Sequence, residues 1–152
     1  MKKINSLLII LVLFISCNKS SEYYKFFKNN EIKIPIVEKT IGNKSYNFII
    51  DSGANISLID STWYSNNTDL FKYEGTNEIW MTGVSGIIKS NTVIISTKVD
   101  SNLMYFATSD LTSVIKALRE QKIEVIGLLG SEYLQHNKLI LDYNKKALYS
   151  AE

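Results

Sequence analysis

The sequence predicts a small, mainly β domain, a closed β fold with one or two short helices. Three observations lead there. Most apolar runs are short and several alternate with polar residues at a period of two, the strand signature. Only one segment, residues 111–118, carries apolar residues at clear helical spacing. Cys17 and His136 are each alone in the chain. An internal disulfide and a thiol-rich or histidine-rich metal site are therefore excluded, and the core must hold the domain together.

The elements follow in order. Residues 31–36 alternate, and Pro35, which lacks a backbone donor, marks an edge strand or its end. Asn43 and Lys44 suggest a hairpin turn, with residues 46–50 as the next strand. Residues 56–59 begin another. Residues 61–75 mix polar and aromatic types and read as a loop with one helical turn at most. Residues 79–81, 87–88, 92–99 and 103–108 read as strands. Leu111, Val114, Ile115 and Leu118 form one helix face, with Asp110 as the cap. Residues 123–129 are apolar and β-branched and predict a buried strand. Residues 131–135 suggest a short helix capped by Ser131. Residues 138–143 and 146–149 close the chain as a hairpin around Asn144 and Lys145. Many short strands and little helix favour a closed β architecture.

Ahead of this domain, residues 1–16 run from Lys2 and Lys3 through an apolar stretch at 7–15 to Ser16, the layout of a secretory signal. That stretch is shorter than the roughly 20 residues that span a bilayer. Residues 17–30 read as a polar tether. Its aromatic residues Tyr23, Tyr24, Phe26 and Phe27 suit either a membrane interface or packing on the domain. The domain itself spans residues 31–152, one domain by length and without an internal repeat. Without Lys2 and Lys3 the remaining 15 basic side chains equal the 15 acidic ones. A neutral domain has no electrostatic reason to seek nucleic acid.

The chemistry sits at Phe48-Ile49-Ile50-Asp51-Ser52-Gly53-Ala54. Alone, Asp-Ser-Gly is an ordinary turn sequence. Here apolar residues precede it and a new strand follows. Downstream, Ile126-Gly127-Leu128-Leu129-Gly130 forms a second glycine-ended apolar run. Between them, Met81-Thr82-Gly83-Val84-Ser85-Gly86-Ile87 is glycine-rich between apolar residues. In this order, over residues 31–149, the three segments resemble the bacterial retropepsin-like aspartic proteases. Phe14-Ile15-Ser16-Cys17 likewise resembles the lipobox of bacterial lipoproteins, with Phe14 in place of the usual leucine.

The resemblance implies a retropepsin-like closed barrel, hydrolysis of peptide bonds in a peptide or protein substrate, and no cofactor or metal. It makes Asp51 the catalytic carboxylate. Ser52, Gly53 and Ala54 support its loop, and Leu128, Leu129 and Gly130 brace that loop from behind. Gly83, Val84, Ser85 and Gly86 form a flap over substrate. It also implies a lipid on Cys17, anchoring an exported protein to a membrane of the cell envelope. The chemistry needs two carboxylates about 3 Å apart sharing one proton, one as base toward water and the other as acid. Asp60, Asp69, Asp110 and Asp142 lack a following Ser/Thr-Gly, so the pair requires a homodimer with one Asp51 from each chain. The rival is an inactive peptide-binding envelope lipoprotein on the same fold. Asp142 reads as a structural strand-end residue, and His136 as a helix-end residue. Gly83-Val84-Ser85-Gly86 lacks the spacing of a serine nucleophile. Trp63 and Trp80 read as core or cleft lining.

Overall fold

The computed structural model describes residues 24–25, 34–83 and 86–150. The signal segment, Cys17, most of the tether, and Val84 and Ser85 lie outside them.

The first described strand, β1 (Tyr24–Lys25), falls within the expected tether yet pairs into the fold. Next, β2 (Ile36–Ile41) and β3 (Lys44–Ile50) form a hairpin in which Ile41 faces Lys44. The turn is therefore Gly42-Asn43, one residue earlier than the sequence suggests. Gly42 has φ +61°, a left-handed conformation that glycine enters without penalty. After the Asp51 loop come β4 (Leu58–Asp60) and α1 (Ser61–Ser65). A long hairpin follows, β5 (Lys72–Gly83) with β6 (Gly86–Val99), and then β7 (Asn102–Ser109). Next are α2 (Thr112–Arg119), β8 (Gly127–Leu129) and α3 (Ser131–His136). The hairpin of β9 (Leu139–Asp142) and β10 (Ala147–Ser150) closes the chain.

The main sheet runs β2-β3-β8-β4-β7-β6, and β6 returns to β2 through the pair Ile41 and Val99. Six strands thus form a ring, the closed mainly β fold the sequence predicts. The ring closes through this one pair and the adjoining bond from the Asp100 amide to the Thr40 carbonyl. β5 hangs on β6 outside the ring. A smaller sheet, β1-β10-β9, packs beside it.

The closing seam depends on one tight turn. Asp100 and Ser101 have φ of 47° and 73°, positive at both central positions of a two-residue hairpin turn. The Asp100 carboxylate then reaches β2. Its Oδ1 accepts the Thr40 amide at 2.9 Å and its Oδ2 pairs with Lys39 Nζ at 2.8 Å. This explains a buried lysine on β2: a charge leaves water only when it is paired. The core inside the ring gathers Val37, Ile41, Ile95 and Leu129 around Phe48 and Phe106. Those two rings stack with centroids 6.1 Å apart.

Several elements differ from expectation. Residues 31–33 lie outside the described chain, and β2 starts after Pro35, where the backbone donor returns. The expected loop through residue 75 gives way at Lys72 to a strand, with a bulge between Tyr73 and Gly75. Residues 87–88 and 92–99 fuse into the single strand β6. Only the end of 123–129 is strand. Ile123, Val125 and Ile126 are buried, but in an irregular segment: Ile123 and Val125 pack against Ile36, Ile49 and Leu118, while Ile126 joins the ring core. Both expected caps shift. Ser131 begins α3 behind Gly130 without a capping bond, and Asp110 bonds the Thr112 amide from outside α2. Val114 is exposed, since α2 buries only the narrower stripe through Ile115 and Leu118. Trp80 is exposed beneath Lys89, whereas Trp63 packs edge-on against Tyr46 and Phe71.

Candidate active site

Asp51 follows β3 directly, and the two runs of apolar residues explain its position. Phe48 and Ile50 point into the ring core, while Ile49 joins the cluster around Ile36 and Val125. A strand buried on both faces leaves no freedom at its end. β8 lies parallel to it, pairing Ile50 with Leu129. The ladder continues one step, because the Asp51 amide donates to the Leu129 carbonyl at 3.0 Å.

The loop then turns tightly. The Ala54 amide donates to the Asp51 carbonyl at 3.2 Å, closing a turn over Ser52 and Gly53. The Gly53 amide donates to Asp51 Oδ1 at 2.9 Å, which fixes the carboxylate by its own turn. A Cβ at Gly53 would stand 3.2 Å from that oxygen. Asp51, Ser52 and Gly53 are exposed in the single chain, and Ala54 is half-buried.

Gly130 supports this loop from below. A Cβ there would lie 2.7 Å from the Ile56 carbonyl carbon and oxygen and 2.9 Å from the Ala54 oxygen. The Ser131 amide donates to that same Ala54 oxygen at 2.7 Å. Gly127 is equally confined, since a Cβ would collide with the Leu58 carbonyl oxygen.

Two residues absent from the sequence expectations complete the bracing. Ser57 is fully buried, and its Oγ accepts the Gly130 amide at 3.0 Å. Its own amide donates to Glu132 Oε1 at 2.5 Å. Glu132 Oε2 is buried and meets no hydrogen-bond partner among the described residues. The only sequence signal for Ser57 is a hydroxyl set among the apolar residues Ile56, Leu58 and Ile59. Buried polar groups are normally bonded, so such a residue implies a partner without naming it.

Residues within or beside the three sequence segments meet at one apolar cluster. Leu58, Ala107, Leu111 and Ile115 form its centre. Ile56 from the Asp51 loop, Leu128 from β8, and Ile79 and Met81 from β5 pack against it. Gly83 and Gly86 pair at the turn end of the β5–β6 hairpin. Val84 and Ser85, the remaining flap residues of the sequence reading, lie outside the described chain, as does Cys17. His136 ends α3 and is exposed. Among the described residues no group of three or more His, Cys, Asp or Glu is placed to hold a metal ion.

No family model matches the chain, and no curated protein does. Among the solved structures similar to it are two with a retroviral-protease description. The retroviral protease-like domain of Ddi1 from Leishmania major is 16% identical over 76% of this chain and 83% of its own, with a TM-score of 0.47. EIAV protease, complexed with the inhibitor HBY-793, is 17% identical over 68% of this chain and 86% of its own, with a TM-score of 0.45.

Proposed function

We propose that this chain is an aspartic endopeptidase of the retropepsin-like type, acting as a homodimer and held at the cell envelope by a lipid on Cys17. The observation that carries the reading is the bracing of Asp51. An exposed carboxylate is ordinary. One fixed by its own turn, by the ladder to Leu129 and by a glycine packed beneath its loop is preorganised.

Preorganisation suits the chemistry. A lone carboxylate in water is a weak catalyst, but two of them face to face share one proton. One Asp51 then takes a proton from the attacking water while the other gives one to the substrate carbonyl oxygen. The exposure of Asp51 and Ser52 in one chain leaves them open to a partner's loop. Ser52 would hydrogen-bond beneath the paired carboxylates. The Gly53 amide holds one carboxylate oxygen and so leaves the other to face the partner. Gly83 through Gly86 would close over the bound peptide, and Met81 and Ile79 tie that hairpin to the loop through the shared cluster. The lipid anchor rests on the sequence around Cys17 alone.

The deciding experiment is Asp51→Asn, assayed on a peptide library in mildly acid solution. Loss of an acid–base group should lower kcat by at least about a hundredfold. Cleavage at the parent rate would remove the mechanism and favour a binding role for the fold.

A further inference from the structure

Beside the Asp51 loop lies an open apolar groove of about 590 Å³, within the size range of ligand sites. Ile56, Ile79, Ile94 and Ala107 line it, with Leu103 and Tyr105. Strand register explains why these side chains meet. Residues paired across an antiparallel ladder share a sheet face, as do alternate residues along a strand. Ile94 pairs with Ala107, Ser96 with Tyr105, Lys98 with Leu103, and Ile79 with Ser90. All of them therefore stand on the face opposite Ile95 and Phe106, which fill the ring core.

That face is covered only in part. Leu103 and Tyr105 remain 58% and 56% exposed. Large apolar side chains gathered around a concavity mark a binding surface. The groove is also continuous with the Asp51 loop, because Asn55 and Ile56 belong to both. From Asp51 to Ile56 the chain spans at most about 17 Å. An extended peptide advances about 3.3 Å per residue, so one laid past Asp51 enters the groove within about five residues. The wall is not purely apolar, since Asn55, Glu132, His136 and Asn137 contribute to it. Amide and carboxylate groups suit a peptide backbone and would be left unsatisfied by a lipid chain.

We infer that this groove is a side-chain subsite for a peptide, taking a large aliphatic or aromatic residue about three to five positions from the bond cleaved. Leu103 and Tyr105 are its selecting residues. Calling that peptide a substrate rests on the protease reading; the binding preference does not.

The test uses the full chain carrying Asp51→Asn, titrated with octapeptides of serine and alanine that carry one phenylalanine at each position in turn. Phenylalanine at one position should tighten binding about tenfold. Adding Leu103→Ser and Tyr105→Ser, both at exposed positions, should abolish that preference and leave the other positions unchanged. An unaltered preference, an equal loss at every position, or no binding by any peptide would overturn the inference. So would a change of oligomeric state in the double variant, which would assign the groove to a second copy. The same peptides offered to the chain with Asp51 intact separate the two readings. Bound but uncut peptides would refute the protease and leave the groove standing.

Discussion

At Gly130 the chain has no room for a side chain, although its backbone is extended and open to any residue (φ −84°, ψ −175°). The constraint is close approach, not conformation. In Gly130→Ala the new Cβ would press on the Ile56 and Ala54 backbone and push the Asp51 loop outward. Forcing atoms into such a contact costs about 1–3 kcal/mol. Thermal unfolding should register that loss. On the proposed protease reading, peptide cleavage should fall further, by about a hundredfold, because a misplacement of about 1 Å at a catalytic group has that effect. Full activity with lowered stability would show that Gly130 serves the fold alone. Gly130 and Asp51 are legible in the sequence because glycine and carboxylate stand directly after apolar runs. Ser57 and Glu132 are not, since their value lies in a bond between residues 75 positions apart.

Among the elements, α1 and α2 both depend on Asp60, which the sequence offers only as one more acid near a turn. It is 4% exposed, and its two oxygens serve different helices. Oδ1 caps α1 by accepting the Trp63 amide at 2.8 Å, and Oδ2 accepts the Leu111 amide at 3.1 Å. Asp60→Ala removes a cap and strands a buried donor. The sum should be about 2–4 kcal/mol, measured by urea unfolding. Asp60→Asn keeps one acceptor and should lose less. Equal losses would mean that charge, not bonding geometry, matters there. The same logic explains the irregular 123–126 segment. Its apolar composition predicts burial, which is correct. Its hydrogen bonds are scattered, from the Ile123 amide to Leu118 of α2, with the Asn47 side chain and carbonyl of β3, and from the Asp60 amide, so no continuous strand ladder forms.

For the whole molecule, the proposed homodimer and the response to acid set the working limits. A site shared between two chains disappears on dissociation, so specific activity should fall on dilution. Activity that stays proportional to concentration down to dilutions at which the chain sediments as a monomer would exclude the shared site. Acid acts on stability separately. The carboxyl of Asp142 is held below its ordinary value of 3.8, chiefly by the Lys145 amide in the β9–β10 turn. The Ser96 hydroxyl, then Lys72, lower that of Glu74 from 4.5. The Thr112 hydroxyl, then its amide, lower that of Asp110 from 3.8. A carboxyl depressed by folding stabilises fully above its unfolded pKa, and the contribution vanishes as pH falls through the folded value. Melting temperature should therefore hold steady above about pH 5 and decline below about pH 4. Asp142→Asn should flatten part of that decline. Any proteolytic optimum in acid is bounded from below by this loss.

The sequence by itself determined the mainly β class, most of the strand segments and the candidate carboxylate, because these follow from short-range patterns of apolar residues, glycine and proline. Burial of Lys39, the double duty of Asp60, the clamp of Ser57 on Gly130 and the groove beside Ile56 were decided only in three dimensions. Each joins residues distant along the chain through contacts made when six strands close into a ring. No local pattern specifies which partner a polar group meets, since that depends on register between strands and not on the spacing within one.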